Sequence, residues 1–361
     1  MPVAVLSRAR AAADAFCGLT GVAVDAAELL TGRAALLGLS QHGRISAGGA
    51  TRLMRSADGW CALTLSRQDD VDAIPALIES DVDDPWPAVA RWMAERASVD
   101  VTTRARLLGL PAAALGETAA VPPKLTALGT AAAPREMTEI LVADLSSMWA
   151  GPLCGQLLAR AGATVVKVET RARPDGTRAG PSAFFDWMNS GKLSYAADFD
   201  QADGLRRLLK AADVVIESSR PAALAARGLG PVPGDGRVWL RITGHGTDGE
   251  RANWVAFGDD AAVAGGLVDG TDTQPAFCGD AIADPLTGLH AALEVAESLR
   301  RGGGQLIELS MAAIAATYAT DDRTAETYCS ATPAPSPPAS ELGVDNASVD
   351  RLITERGLAS C

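Results

Sequence analysis

At 361 residues, 48% apolar and 21% charged, the chain has a globular composition and is long enough for two cores, not one. Its formal net charge of −12 argues against general nucleic-acid or anionic-membrane binding, so an anionic ligand would need a local cluster of Arg and Lys. Only 4% of residues are aromatic, which leaves much of the packing to alanine and glycine.

The N-terminal MPVAVLSRARAAADAF lacks a signal-peptide core and no apolar run is long enough to span a bilayer, so a cytoplasmic location is expected. The cysteines at 17, 61, 154, 278, 329 and 361 show no CxxC or CxxxC spacing. They read as reduced thiols, and neither a disulfide framework nor a metal site is expected. Residues 1–39 suggest helices around Asp25-Ala-Ala-Glu-Leu-Leu and Ala34-Ala-Leu-Leu. A flexible stretch, Gly43-Arg-Ile-Ser-Ala-Gly-Gly-Ala-Thr, leads to a hairpin over 51–65 whose turn is Ala57-Asp58-Gly59. Helices are predicted at 69–79 and 86–96, and Arg106-Leu-Leu-Gly-Leu-Pro closes a small α+β unit over 1–119.

Residues 120–136 form a Pro/Ala linker. A larger unit over 137–320 opens with strand, turn, helix and strand between Glu139 and Glu169. Ile140-Leu-Val-Ala is an apolar run of the kind buried in a parallel sheet, Asp144-Leu-Ser-Ser-Met-Trp-Ala-Gly-Pro is the turn, Pro152 starts the helix and Gly162 stops it. Further strands at 192–199, 213–217, 237–244 and 305–309 alternate with helices at 201–212 and 284–301. That alternation predicts an α/β fold, a doubly wound parallel sheet of Rossmann type beside the smaller α+β domain. Ligands of such sheets bind where the strand ends meet a helix N-terminus. A Pro-rich tether and a helix at about 346–356 occupy the tail, 321–361.

The pattern D-L-S-x-x-x-A-G-P, then L-L-A-x-x-G-A-x-V-x-K-V-E, resembles the opening of the family III CoA-transferases. That family includes formyl-CoA transferase, carnitine CoA-transferase and α-methylacyl-CoA racemase. Ala57-Asp58-Gly59-Trp60 and Leu108-Gly109-Leu110-Pro111-Ala112 resemble segments of its small domain, and Gly302-Gly-Gly-Gln its G-x-G-Q turn. The domain order departs from the family's, since the small domain here comes first. A circular permutation accounts for this better than a fused remnant, because no small-domain pattern follows residue 320.

The resemblance implies a transferase that moves CoA between an acyl thioester and a carboxylic acid, with coenzyme A as substrate, no permanently bound cofactor and an interlocked homodimer. It places the nucleophile at Asp284, in Gly279-Asp-Ala-Ile-Ala-Asp-Pro-Leu-Thr-Gly. An aspartate is ionised at neutral pH (reference pKa about 3.9) and can attack a thioester carbonyl. Read from local sequence alone, Asp284 before Pro285 is first an N-cap, and it is the resemblance that makes it the nucleophile. Gly48 and Gly49 correspond to the family's mobile glycine loop, or else to an ordinary loop before a hairpin. Asp280 reads as a solvated loop residue.

For CoA, the matching positions are Ser147, Trp149 and Ala150 in the first turn, Thr170 and Arg171 after the second strand, then Arg178, Asn189, Lys192, Ser218 and Arg220. Arg171, Arg173, Arg178, Lys192 and Arg220 are the dense basic set of an acidic chain, suited to phosphates, although any one of them could be mere surface solvation. Thr170 stands where the family often has arginine, and Ser218 where it has asparagine. His245 is a loop histidine or a lining of the acyl pocket, His290 a packed helix residue and His42 exposed. Racemases of the family pair a histidine with the aspartate, and the corresponding Ala261-Ala-Val-Ala-Gly-Gly-Leu-Val has none, which favours transfer over racemisation. A paralogue that binds acyl-CoA without turning it over is the non-catalytic alternative.

Overall fold

Asp25 starts the second of two N-terminal helices: its Oδ1 accepts the Ala27 N–H at 2.8 Å, so α1 (Val3–Thr20) ends at Gly21 and α2 (Ala26–Leu37) begins. The structure is a computed structural model that describes residues 2–40, 42–319 and 329–359. The expected 320/321 boundary and Cys361 lie outside the described residues. Strands β1 (Thr51–Arg55) and β2 (Trp60–Thr64) form the expected antiparallel hairpin, its turn closed by Gly59 N–H donating to Ser56 Oγ at 3.0 Å. Strand β3 (Ala112–Ala114) completes a small sheet in the order β1-β2-β3.

Four helices cover it: α3 (Gln68–Asp72), α4 (Ile74–Ile78), α5 (Pro85–Ala94) and α6 (Ser98–Leu107). The single helix expected at 69–79 is split, because Pro75 has no N–H to continue the ladder. Leu63, Ile74, Leu77, Val89 and Met93 form the core of this unit.

The stretch read as a linker contains a strand, β4 (Lys124–Ala127), at the edge of the large sheet. From there the chain alternates: β5 (Leu141–Asp144), α7 (Ala150–Arg160), β6 (Thr164–Glu169), α8 (Ser182–Asn189), β7 (Leu193–Ala196), α9 (Asp203–Ala211), β8 (Val214–Glu217), α10 (Pro221–Ala225) and β9 (Val238–Thr243). After β9 come α11 (Gly258–Ala264), a hairpin of β10 (Val268–Thr271) and β11 (Gln274–Phe277), α12 (Ala283–Arg300), β12 (Gln305–Ser310) and α13 (Met311–Tyr318). Helix α14 (Asn346–Ala359) covers the sheet's β7 end.

The order of the seven-stranded sheet is β4-β12-β9-β8-β5-β6-β7, with every pair parallel except β4 and β12. The chain therefore winds outward from β5 to β7, crosses back to β8 and winds the other way to β12. That is the expected doubly wound α/β sheet, and its direction reverses between β5 and β8. Its central strands β5 and β8 are buried throughout, as strands covered on both faces must be. Val142, Val214, Ile216 and Leu240 pack under α7 and α12, while Leu141, Val215 and Trp239 pack under α9 and α14. Helices α1 and α2 join the first of these cores, through Val5, Phe16, Leu29 and Leu30. The N-terminal 37 residues thereby lie against the large sheet's central helix, α12. At the open edge of β7, Asp345 and Asn346 side chains take the Ser194 and Ala196 N–H groups at 2.8 and 2.9 Å, which blocks further strand pairing.

Candidate active site

The turn after β5 lies at the switch point and is pinned from below by two buried ion pairs. Asp144 Oδ2 meets Lys192 Nζ at 2.9 Å, and Asp175 Oδ2 meets Lys167 Nζ at 2.8 Å. Burial pushes both carboxyls up, but Lys192 with Lys167 at Asp144, and Lys167 at Asp175, outweigh it and hold both below the usual range. Asp175 also accepts the Met148 N–H at 3.1 Å, and Lys167 donates to the Ser146 carbonyl. These bonds hold Met148 at φ 73°, a left-handed conformation that a methionine adopts only under constraint. Trp149 and Ala150 are thereby turned inward, with Trp149 edge-on to Phe184 at 5.3 Å.

Asp284 lies against this turn. It is the second residue of α12 and not its cap, because Ile282 holds the cap position. Its carboxyl lies beside the backbone N–H of Ala150, whose dipole favours the ionised form. Burial pushes it up to about 7, with Asp259 and Asp280 adding to the rise while Arg33 and the Ala150 N–H oppose it. A neighbouring residue, Ala281, has φ 42°, so two of the three described non-glycine residues with positive φ flank this one carboxyl.

Three further acids converge here. Asp259 and Asp260 begin α11, and burial raises them to about 6 and about 7 respectively. Asp260 Oδ1 accepts from Phe257 N–H at 3.0 Å and from Thr64 Oγ at 2.9 Å, while Asp259 Oδ1 accepts the Ala281 N–H at 2.9 Å. Asp280 is not the solvated residue expected from sequence. It is 3% exposed and bonded to Arg33 Nη1 at 2.6 Å, because the bend before α12 turns it under α2. Arg33 in turn lies 5.5 Å from the ring centres of both Trp149 and Phe184.

The glycine loop reaches the same place. Gly48 and Gly49 are exposed, and a Cβ built on Gly48 would stand 3.8 Å from Arg33 Nη2. The loop's roots are tied to the acids: Thr51 N–H donates to Ser46 Oγ at 3.0 Å, Thr51 Oγ pairs with Thr64 Oγ at 2.9 Å, and Thr64 holds Asp260.

The residues matched to CoA divide. Ser147 is exposed, and its N–H donates to Ser218 Oγ at 3.3 Å, bridging the switch point. Arg171, Arg173 and Arg220 are exposed beside them at the ends of β6 and β8. Thr170 caps the loop by accepting the Arg173 N–H at 2.9 Å. Arg178 instead forks onto Glu169, with bonds of 2.9 and 2.7 Å, and stacks over Phe185 at 4.2 Å. Lys192 does not face the mouth either. It is 3% exposed and its ammonium is taken by Asp144, the Pro152 carbonyl at 2.8 Å and Asn189 Oδ1 at 3.1 Å, with Asn189 buried beside it. A cation of that kind holds the turn together and has no proton left for a phosphate.

The three histidines have neighbours of their own. His245 is buried edge-on to Trp254 at 5.4 Å and pushed down to about 3 by burial and by Arg106 and Arg251. His290 Nε2 lies 2.7 Å from the Tyr318 hydroxyl, and His42 is exposed.

A family model described as CoA-transferase family III matches residues 137–349, more than half of the chain. The chain belongs to CoA-transferase family III. Over 202 residues it is 34% identical to a succinate–glutarate CoA-transferase of Agrobacterium fabrum, which covers 48% of this chain and 50% of that protein. Over 199 residues it is 31% identical to a succinyl-CoA–D-citramalate CoA-transferase of Chloroflexus aurantiacus, covering 49% and 50%. A formyl-CoA:oxalate CoA-transferase of Escherichia coli is 28% identical over 197 residues, covering 48% and 46%. This member of family III thus spans about half the length of the curated relatives it matches. Among solved structures, a CaiB/BaiF family protein of Brucella suis aligns with TM-score 0.45 at 28% identity, over 51% of this chain and 55% of that one. A hypothetical protein of Mycobacterium tuberculosis aligns with TM-score 0.46 at 26% identity, over 52% and 57%.

Arg33, Asp259 and Asp260 escaped the sequence reading. Nothing local marks them: Arg33 sits mid-helix among alanines and leucines, and Asp259-Asp260 reads as an ordinary helix start. Only the packing of α2 and α11 around α12 brings them to Asp284.

Proposed function

We propose that this chain is an acyl-CoA:carboxylate CoA-transferase whose nucleophile is Asp284. The supporting observation is the packing of its helix start against Ala150 of the first βα turn, within the cluster of acids that the glycine loop overhangs. In this reading the Asp284 carboxylate attacks the thioester carbonyl of acyl-CoA, and the C–S bond breaks to release CoA thiolate and leave an acyl-aspartyl anhydride. The thiolate then attacks the aspartyl carbonyl, releasing the first acid as carboxylate and leaving an aspartyl-CoA thioester. The acceptor acid reverses both steps: its carboxylate forms a new anhydride with Asp284 and frees the thiolate, which closes on the acceptor's carbonyl. Charge is conserved throughout, so neither ATP nor a net proton is consumed.

The Ala150 N–H is a fixed donor beside the oxygen that develops charge. Ser147, Ser218, Arg171, Arg173 and Arg220 would receive the nucleotide and phosphates at the switch point. The interlocked homodimer belongs to the same reading.

Exchange of labelled CoA into acyl-CoA tests it without knowledge of the acceptor. Wild-type protein is expected to catalyse the exchange and Asp284→Ala to lose it. Exchange that survives in Asp284→Ala would remove the nucleophile. Wild-type protein that binds CoA without exchanging it would make the chain a binding paralogue.

A further inference from the structure

We propose that Arg33 is the residue that receives the carboxylate of the acid accepting CoA, and that Asp280 fills its place in the resting site. The inference rests on the transferase reading above, and adds to it a residue from α2, outside the stretch that matches the family model.

The pair that Arg33 makes is half used. A structural arginine–carboxylate pair commonly closes with two parallel bonds. Here Nη1 meets Asp280 Oδ1 at 2.6 Å, while Asp280 Oδ2 is buried with no hydrogen-bond partner among the described residues. Nη2 is directed at the exposed glycine loop, where the missing side chain of Gly48 leaves room beside it. The guanidinium is neither sealed nor free: its side chain is 24% exposed, with ring centres of Trp149 and Phe184 5.5 Å from it. Aromatic neighbours of this kind steady an arginine while its edge stays open to a planar anion.

Charge leads to the same residue. A carboxylate that approaches Asp284 meets Asp259 and Asp280, and the positive charge of Arg33 opposes theirs there. An acid substrate needs that cation to come within bonding distance of the thioester carbonyl. Asp280 is already pushed above the usual carboxylate range by burial, which Arg33 opposes. It therefore takes up a proton when the guanidinium leaves it. The exchange at Arg33 is one carboxylate for another, with one proton bound from solvent and no covalent change.

Acetate, which is a carboxylate and little else, is the probe. Calorimetric titration in buffers of different ionisation enthalpy reads both affinity and proton uptake. Asp280→Asn removes the internal competitor, so acetate is expected to bind about tenfold more tightly than to wild type, with the proton uptake abolished. Arg33→Gln is expected to lose acetate binding, and Arg33→Lys, which keeps the charge without the fork, to bind weakly. In turnover, Arg33→Lys should raise KM for the acceptor acid about tenfold more than KM for acyl-CoA. If the pair is merely structural, Asp280→Asn and Arg33→Gln weaken the fold alike and neither gains acetate affinity. That outcome, or Asp280→Asn protein that binds no acetate, overturns the proposal. It also stays separate from the transferase reading, because labelled-CoA exchange by wild type reports on Asp284 alone.

Discussion

Gly258 packs against Asp284: a Cβ at residue 258 would collide with the Asp284 Oδ2 and the Ala281 carbonyl oxygen. Helix α11 can start this close to the carboxyl only because its first residue has no side chain. Gly258→Ala is expected to push Asp284 away from the Ala150 N–H. Overpacking of this kind costs about 1–3 kcal/mol of stability. A displacement near 1 Å costs about a hundredfold in turnover. Thermal denaturation beside the CoA-exchange rate checks both. Full activity in Gly258→Ala would show that the carboxyl's position is not critical.

Lys192 separates a structural cation from a ligand-binding one. Removing one partner of a buried pair costs about 3–5 kcal/mol, because the other charge is left uncompensated. Lys192→Met should therefore unfold at much lower denaturant, and Asp144→Asn added to it should restore much of the loss. Equilibrium denaturation of the single and double variants reads this. A stable Lys192→Met protein with only a raised KM for acyl-CoA would return Lys192 to the phosphates.

Arg171 and Arg220 should behave in the opposite way. Both are exposed, so alanine there should leave stability within about 0.5 kcal/mol. Loss of a charge-assisted bond to phosphate is worth about 1.5–3 kcal/mol, so KM for acyl-CoA should rise about tenfold or more, and the defect should shrink with added salt. Steady-state kinetics at two ionic strengths distinguishes this from a site elsewhere.

Acidity should work against activity and in favour of the fold. The nucleophile is the ionised form, and burial holds Asp284 up at about 7, so kcat/KM for acyl-CoA should fall as pH drops below that value. Asp259, Asp260 and Asp284 bind protons more tightly folded than unfolded, where carboxyls titrate near about 4. Their contribution to stability is therefore fully present below that pH and is lost as pH rises through about 6 to 7. Asp260→Asn keeps an acceptor for Phe257 and Thr64 but cannot ionise. It should be less destabilised than wild type on going from pH 5 to pH 8, by about 1–3 kcal/mol, as measured by chemical denaturation. Identical pH dependence in the two proteins would mean that Asp260 does not titrate in this window.

Much of the sheet was legible because its signals are local. Fully apolar strands such as Val214-Val-Ile and the glycine stop after α7 need no knowledge of neighbours. What escaped depends on partners distant in the chain. β4 is a polar, exposed strand that exists only because β12 offers it an edge, so composition read it as linker. Helices α11 and α13 are alanine-rich and buried nearly all round, which erases the amphipathic period that marks a surface helix. Within the candidate site, the family pattern singles out Asp284 and the glycine pair, which the fold brings to one cluster. The burial of Lys192 on Asp144 is not legible, because a basic residue at a strand's start looks alike whether it faces phosphate or a buried aspartate. Arg33 lies 247 residues from the aspartate it pairs with, a separation that no local pattern spans.

Whether Asp284 is the nucleophile is read from mass spectrometry of the Asp284 peptide after brief exposure of the protein to an acyl-CoA, with hydroxylamine added to trap activated carboxyls. The expected result is an acyl, CoA or hydroxamate adduct confined to Asp284 and absent from Asp284→Asn. An unmodified Asp284 in protein that is meanwhile transferring CoA, or an adduct on another residue, would contradict it.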